Sequence, residues 1–324
     1  EKTLRVDWLK RGEKDDVESP RHVFVAPNGK ILFERVWTVS KEDLSALMVR
    51  ASELCTPERL VAWDTLEGRL ARAGDSVAAV REIALGGLIA ENDPAIDTNL
   101  VELAKTVKDP TVAGAVLGAF ARADTPARRA LCHDALSHKD AAVRMQVAYV
   151  MEVSGFAEHL APLLARAGKE KDDAARGSMY RAIGTLAAPT KDEKDGKAAM
   201  KVLLKGLTDS KDGARAHAAV AIAPWATEKS VRAGLEKLYL ASGPTHERCA
   251  AVWALGFSEN EHAKETLEEQ RASLSKWDWR VRNTMDAAIA KLSGKENPQY
   301  AGSARWFLPN PVHGDPPTDG PGGR

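Results

Sequence analysis

Asp140-Ala141-Ala142-Val143-Arg144, followed by Ala148, is the stretch that decides how the rest of the chain is read. The same signature returns as Asp173-Ala174-Ala175-Arg176 before Ala182-Ile183-Gly184, and as Asp212-Gly213-Ala214-Arg215 before Ala218-Ala219. It returns again as Glu247-Arg248-Cys249-Ala250-Ala251, and as Asp278-Trp279-Arg280-Val281-Arg282 before Ala287-Ala288. An earlier copy is Val80-Arg81 with Ala84 and Gly86. Each copy has an arginine in the first turn and small residues beyond, and all but the earliest are quoted with an acid at the helix start. The acid satisfies free backbone N–H groups and favours the positive end of the helix dipole. Small residues three and four apart let two helices approach closely. The arginine is placed to reach sideways to an acid of the next copy, which would fix register between copies more than add stability.

Breakers separate the copies: Gly74-Asp75, Asp93-Pro94, Asp109-Pro110, Asp124-Thr125-Pro126, Gly168, Asp209-Ser210, Gly243-Pro244 and Gly294. The Ala-rich segments between them are too short to be stable alone, because isolated helices below roughly 12–15 residues are marginal in water. Taken in pairs they give a period of roughly 30–40 residues, the range of solenoid repeats. About six pairs fit from Thr56-Pro57-Glu58, a capped helix start, to Gly294.

These acids, arginines and small residues resemble the HEAT-repeat family, in particular its short Ala-rich bacterial forms known as phycobilisome-lyase-like or EZ repeats. The resemblance covers about 75–240 and weakens toward 294. It implies a mainly α armadillo-type fold, a right-handed α-α superhelix over 55–294, with a concave surface for a protein partner. Asp140, Arg144, Asp173, Arg176, Asp212, Arg215, Arg248, Asp278 and Arg282 are then structural residues of the repeat.

Residues 1–54 carry the strand signals. His22-Val23-Phe24-Val25 and Lys30-Ile31-Leu32-Phe33 flank Asn28-Gly29, a hairpin turn dipeptide. Ser40 with Asp43 starts a helix running to about Leu54. With Ser19-Pro20 these pieces resemble the C-terminal half of a thioredoxin-like domain, in which the proline is cis and abuts the redox site. The Cys-x-x-Cys half is missing. The segment is therefore read either as part of such a domain or as a cap on the first repeat. Residues 295–324 hold six prolines and five glycines and read as an extended tail.

Lys+Arg and Asp+Glu are 46 each, and the balance holds within all three regions. A nucleic-acid partner, which selects for an excess of Lys and Arg, is therefore not expected. No stretch approaches the roughly 20 apolar residues of a membrane span. The sequence begins at Glu1 rather than Met, so it is read as processed, trimmed or a fragment. A bacterial origin is expected, with an exported, periplasmic location ahead of a cytoplasmic one.

No catalytic, cofactor-binding or metal-binding constellation emerges. Cys55, Cys132 and Cys249 are far apart and fit small core residues. His133 and His138 are five apart, off one helix face, and the histidines read as exposed or capping residues. Gly86-Gly87 reads as a helix-packing pair, and Lys191 to Lys197 as a solvated loop. Trp253 reads as core. Trp225 and Trp279, near helix ends, and Trp306 in the tail are the candidate partner contacts, since aromatic residues dominate interface hot spots. The function expected is a non-enzymatic scaffold or binding module. The alternative is a redox or cofactor-handling protein whose catalytic half lies elsewhere.

Overall fold

The computed structural model describes residues 21–26, 31–36 and 41–295, apart from 57, 59, 61, 63, 64, 92, 121–124, 211, 242, 276 and 277. Strands β1 (Arg21–Val25) and β2 (Ile31–Val36) pair antiparallel with Phe24 opposite Phe33, and the register shifts between Phe24 and Val25. Helix α1 (Lys41–Leu54) follows. The turn at Asn28-Gly29 and the residues Pro20, Ser40 and Pro57 lie outside the described residues.

Among the described residues, the elements after α1 are all helices. The order is α2 (Leu66–Ala73), α3 (Ala78–Ala90), α4 (Pro94–Thr106), α5 (Pro110–Phe120), α6 (Pro126–Ala135), α7 (Ala141–Ser154) and α8 (Leu160–Ala167). Then come α9 (Asp173–Ala187), α10 (Lys194–Gly206), α11 (Asp212–Ala221), α12 (Lys229–Leu240), α13 (Thr245–Leu255), α14 (Glu261–Ser273) and α15 (Trp279–Leu292). Short polar side chains start these helices by accepting backbone N–H groups. Thr125 caps α6 ahead of Pro126, Asp140 caps α7 from Ala142 at 2.8 Å, and Asn260 caps α14 from Ala263 at 3.0 Å. Helix α7 stops at Gly155, whose φ of 72° suits a residue without Cβ.

The chain divides into two compact units, Glu1–Asn99 and Leu100–Arg324, with the division falling inside α4. In the first unit the hairpin and α1 share one core with the array's early helices. Ala26, Leu32, Leu47 and Ala51 are buried together with Val80 of α3, and Cys55, Leu60, Val77 and Ile83 pack around them. Gly86 and Gly87 are not a close-packing pair. A Cβ at either would meet nothing within 4 Å, so no neighbouring helix demands glycine there.

The second unit is a helical solenoid in which neighbouring helices pack in sequence order. Helices α5, α7, α9, α11, α13 and α15 form a row, each against the next. Helices α6, α8, α10, α12 and α14 each lie against the row helix that follows them, and meet one another only slightly, as α8 and α10 do. Small residues set the spacing in the row. A Cβ on Gly184 of α9 would lie 2.5 Å from the Ala221 carbonyl oxygen of α11. One on Gly206 of α10 would lie 2.8 Å from the Ala218 Cβ and 3.1 Å from the Tyr180 ring. Val143, Val147, Met151, Met179, Ile183, Leu203, Leu235, Val252 and Met285 are buried in this unit's core. The run Lys191–Lys197 is only partly loop. Helix α10 begins at Lys194, and Gly196 is buried against the backbone of Thr190 and Lys191.

Candidate functional site

The polar side chains that the second unit brings together lie along the starts of the row helices. Arg144, Arg176, Arg215, Arg248 and Arg282 are each the fourth residue of their helix, as is Arg81 of α3 in the first unit. At that position an arginine can turn back to the loop before its own helix. Arg144 Nη1 donates to the carbonyls of His138 and Lys139 at 2.7 and 3.0 Å, and Arg215 Nη1 donates to that of Asp209 at 2.8 Å. Arg81 Nη1 donates to the Asp75 carbonyl at 2.8 Å, and Arg282 Nη1 to that of Leu274 at 3.1 Å. These carbonyls precede a helix and have no ladder partner, so the guanidinium satisfies them.

In Arg144, Arg176, Arg215 and Arg248 the guanidinium also faces the following repeat. Arg144 holds Glu170 through Nε and Nη2, both at 2.7 Å. Arg176 donates to Asp209 at 2.6 Å, and Tyr180 donates to the same oxygen at 3.2 Å. Arg215 holds Glu247 at 3.0 and 2.7 Å. Arg248 lies 3.9 Å from Asp278, a longer and looser pair. Planar guanidinium suits these two-pronged contacts as lysine would not.

Glu170 is the most committed of the acids. Its side chain is wholly buried and also accepts Arg166 at 2.9 Å and the backbone N–H groups of Lys171 and Asp172 at 2.9 and 3.0 Å. Burial alone would raise its pKa. The Arg144 hydrogen bonds and charge and the two N–H groups outweigh that and hold it at about 2.

The acids of the repeat signature take different roles. Asp140 caps its own helix. Asp173 does not cap α9; Asp172 does, from Ala175 at 2.9 Å. Asp173 instead accepts the Ala214 N–H at 2.8 Å, capping α11 of the next repeat. Asp278 precedes α15 without a side-chain cap bond. The Asp212 side chain lies outside the described residues. Of the acids that meet the arginines, Glu247 and Asp278 belong to the signature, whereas Glu170 and Asp209 are loop residues that it did not single out. Their one signal is position, within a few residues of the next helix start.

Trp225 is not exposed. It closes a short 3-10 turn (Ala223–Trp225), is 3% exposed, and its indole N–H donates to the Lys191 carbonyl at 3.1 Å. The ring therefore fastens the α9–α10 connection to the end of α11 and offers no contact surface. Trp279 is 43% exposed at the start of α15, with the Arg280 guanidinium 5.3 Å from its ring. Trp253 is buried, its ring 4.7 Å from Phe257. Trp306 lies outside the described residues.

Two histidines are neither exposed nor capping. His159 and His217 are buried, and burial first, then nearby cations, holds them down at about 4 and about 3. A Cβ at Gly177 would collide with the His217 ring, so α9 carries glycine where α11 presents imidazole. His138 does cap, its Nδ1 accepting the Asp140 N–H at 3.1 Å. Burial pushes the Cys132 thiol up to about 12 and the Cys249 thiol up to about 11, the opposite of an activated thiolate.

On α7 and α9 the free face of the row carries little net charge. On α7 it holds Ala142, Tyr149 and the 56% exposed Val153; on α9 it holds Arg181 and exposed Thr185. Arg181 pairs with Glu152 at 3.0 Å, although burial raises the Glu152 pKa. Among the described residues no group of three or more His, Cys, Asp or Glu is placed to hold a metal ion, and no helix is long and apolar enough to cross a membrane.

This geometry defines a helical repeat solenoid. No family model and no curated protein matches the chain. Among solved structures, human deoxyhypusine hydroxylase in complex with glycerol is similar at a TM-score of 0.33 and 11% identity, over 73% of this chain and 99% of that chain. Nothing about this chain's chemistry follows from a likeness at that level.

Proposed function

We propose that the chain is a HEAT-type scaffold that holds another protein on the free, concave face of its row of second helices. The observation that carries this reading is the use of charge. The arginines and acids that meet in the second unit lock one repeat to the next, and leave a face of Ala142, Tyr149, Val153 and Thr185 whose one named cation, Arg181, is paired with Glu152. Such a face suits a partner of mixed apolar and polar surface. Trp279 with Arg280 at the start of α15 adds an exposed aromatic–arginine pair of the kind that anchors interfaces.

The shared core of the hairpin, α1 and Val80 supports reading residues 21–54 as a cover for the first helices rather than half of a redox domain. Terminal repeats have an apolar face that needs such a cover.

Co-purification from the native source tests the proposal. A partner recovered with the unaltered chain and lost with Val153→Arg, at unchanged helical circular dichroism, supports it. A partner retained by that variant and by Trp279→Ala, or none recovered, counts against it.

A further inference from the structure

His133 of α6 and His159, in the 3-10 turn between α7 and α8, meet ring to ring. The His133 Nε2 lies 2.8 Å from the His159 Nδ1, and the rings are nearly perpendicular with centroids 5.1 Å apart. His133 is half-buried, His159 is wholly buried, and the Nε2 of His159 has no hydrogen-bond partner. Two more contacts pin the same turn to α6. The Arg129 guanidinium lies 4.9 Å from the Phe156 ring centroid and 3.5 Å from Glu158. Phe156 in turn packs edge-on against His159 at 5.7 Å.

Counting protons shows what this arrangement tolerates. Two neutral imidazoles carry two N–H groups on four nitrogens. One hydrogen lies in the bridge, and the other can sit on the outer nitrogen of His133, leaving the buried Nε2 of His159 bare. A third proton changes this. With one hydrogen still in the bridge, both outer nitrogens must be protonated, so His159 acquires a buried N–H with no acceptor. A fourth proton sets N–H against N–H across the contact. Each step costs a buried unsatisfied donor or the bridge itself.

We propose that the His133–His159 contact is an acid-released latch: with both rings neutral it holds the α7–α8 turn against α6, and protonation frees that turn before the array unfolds. The charged groups acting on the pair are Arg129 and Asp134 of α6 and Glu158 of the turn. None comes from α5, α7, α8 or α9, which also pack on α6 or on the turn. Burial comes first, and Arg129 adds to it, in lowering both imidazoles below their usual range.

Hydrogen exchange of the full chain between pH 7 and 4.5, corrected for intrinsic rates, tests the latch. Protection of the amides of residues 155–160 should fall about tenfold more than that of α12 and α13, the change one pKa unit represents. His133→Gln, which keeps hydrogen-bonding groups but cannot charge, should reduce the excess to what the burial of His159 alone contributes. A uniform loss along the chain, or the same excess in His133→Gln, overturns the proposal. If that variant does not fold, a side-chain nitrogen NMR titration of the unaltered chain decides. His159 staying neutral below pH 5 supports the latch, and titration near an ordinary value of about 6.5 overturns it.

Discussion

The seam between α5 and α7 and the seam between α7 and α9 join the same kinds of helix by different means. Helix α5, Pro110–Phe120, contains no charged residue, and Ala113 stands where the other row helices carry arginine. Its contact with α7 is made by shape, with Gly114 and Gly118 against Gln146 and Val150. Between α7 and α9, Arg144 and Arg166 close on a buried Glu170, and Ser178 donates to the Met145 carbonyl at 3.0 Å. Shape alone tolerates small slips along a seam, because one small residue resembles the next. A two-pronged ion pair anchored to loop carbonyls has one geometry. The contrast teaches that in this array apolar packing supplies cohesion, and the arginine row supplies register.

The sharpest way to break that contrast is to remove one charge from the polar seam. Glu170→Ala leaves Arg144 and Arg166 facing each other without their acid, and should cost about 3–5 kcal/mol in chemical denaturation, as expected when a buried pair loses one member. Next in size are the glycines. Gly184→Ala drives a methyl into the Ala221 backbone and should cost about 1–3 kcal/mol despite better helix propensity. Gly118→Ala meets only the Val150 and Gln146 side chains, at 3.1 and 3.6 Å, and should change stability by less than about 1 kcal/mol.

Acid sharpens the comparison in the same direction. The folded chain holds Glu170 at about 2 and His217 at about 3, both below their ordinary values. A lowered carboxylate contributes stability above its unfolded pKa, lost as pH falls toward 2. A lowered histidine likewise contributes its full stability above about pH 6.5, lost as pH falls toward 3. The two windows add, so stability should decline by several kcal/mol, on the order of 3 or more, between pH 7 and 3. Denaturation midpoints measured across that range check it, and Glu170→Gln should flatten the part below pH 4.5. A small effect also belongs to Arg282, which makes the loop contact to Leu274 but pairs with no acid among the described residues. Arg282→Ala should cost about 1 kcal/mol, a single hydrogen bond's worth.

Much of the architecture was legible because it rests on local periodicity. The helix expected from Lys41 to Leu54 is found with those bounds, and the breakers at Gly74, Pro94, Pro110, Gly168 and Gly294 all flank helices. The direction of the arginines was legible too, since a first-turn residue that repeats with the helix pair has only the neighbouring repeat to face. Two of their partners were not, because Glu170 and Asp209 lie in loops three residues before the next helix start, outside the repeated signature. Trp225 was misread because a ring near a helix end looks exposed in sequence, whereas here the chain continues into a 3-10 turn and folds it inward. His159 and His217 escaped notice for a related reason. Their burial comes from residues 26 to 40 positions away, His133 and Gly177, and local sequence carries no trace of such a pairing.

A double-mutant cycle on Arg144 and Glu170, with leucine at each position and unfolding free energies measured in urea, tests the role of the arginine row most directly. If the pair acts as one unit, each single substitution should be costly and the double variant should recover much of the loss, giving a coupling of about 2 kcal/mol or more. Costs that simply add, with coupling below about 0.5 kcal/mol, would show that the two side chains do not lock the repeats together.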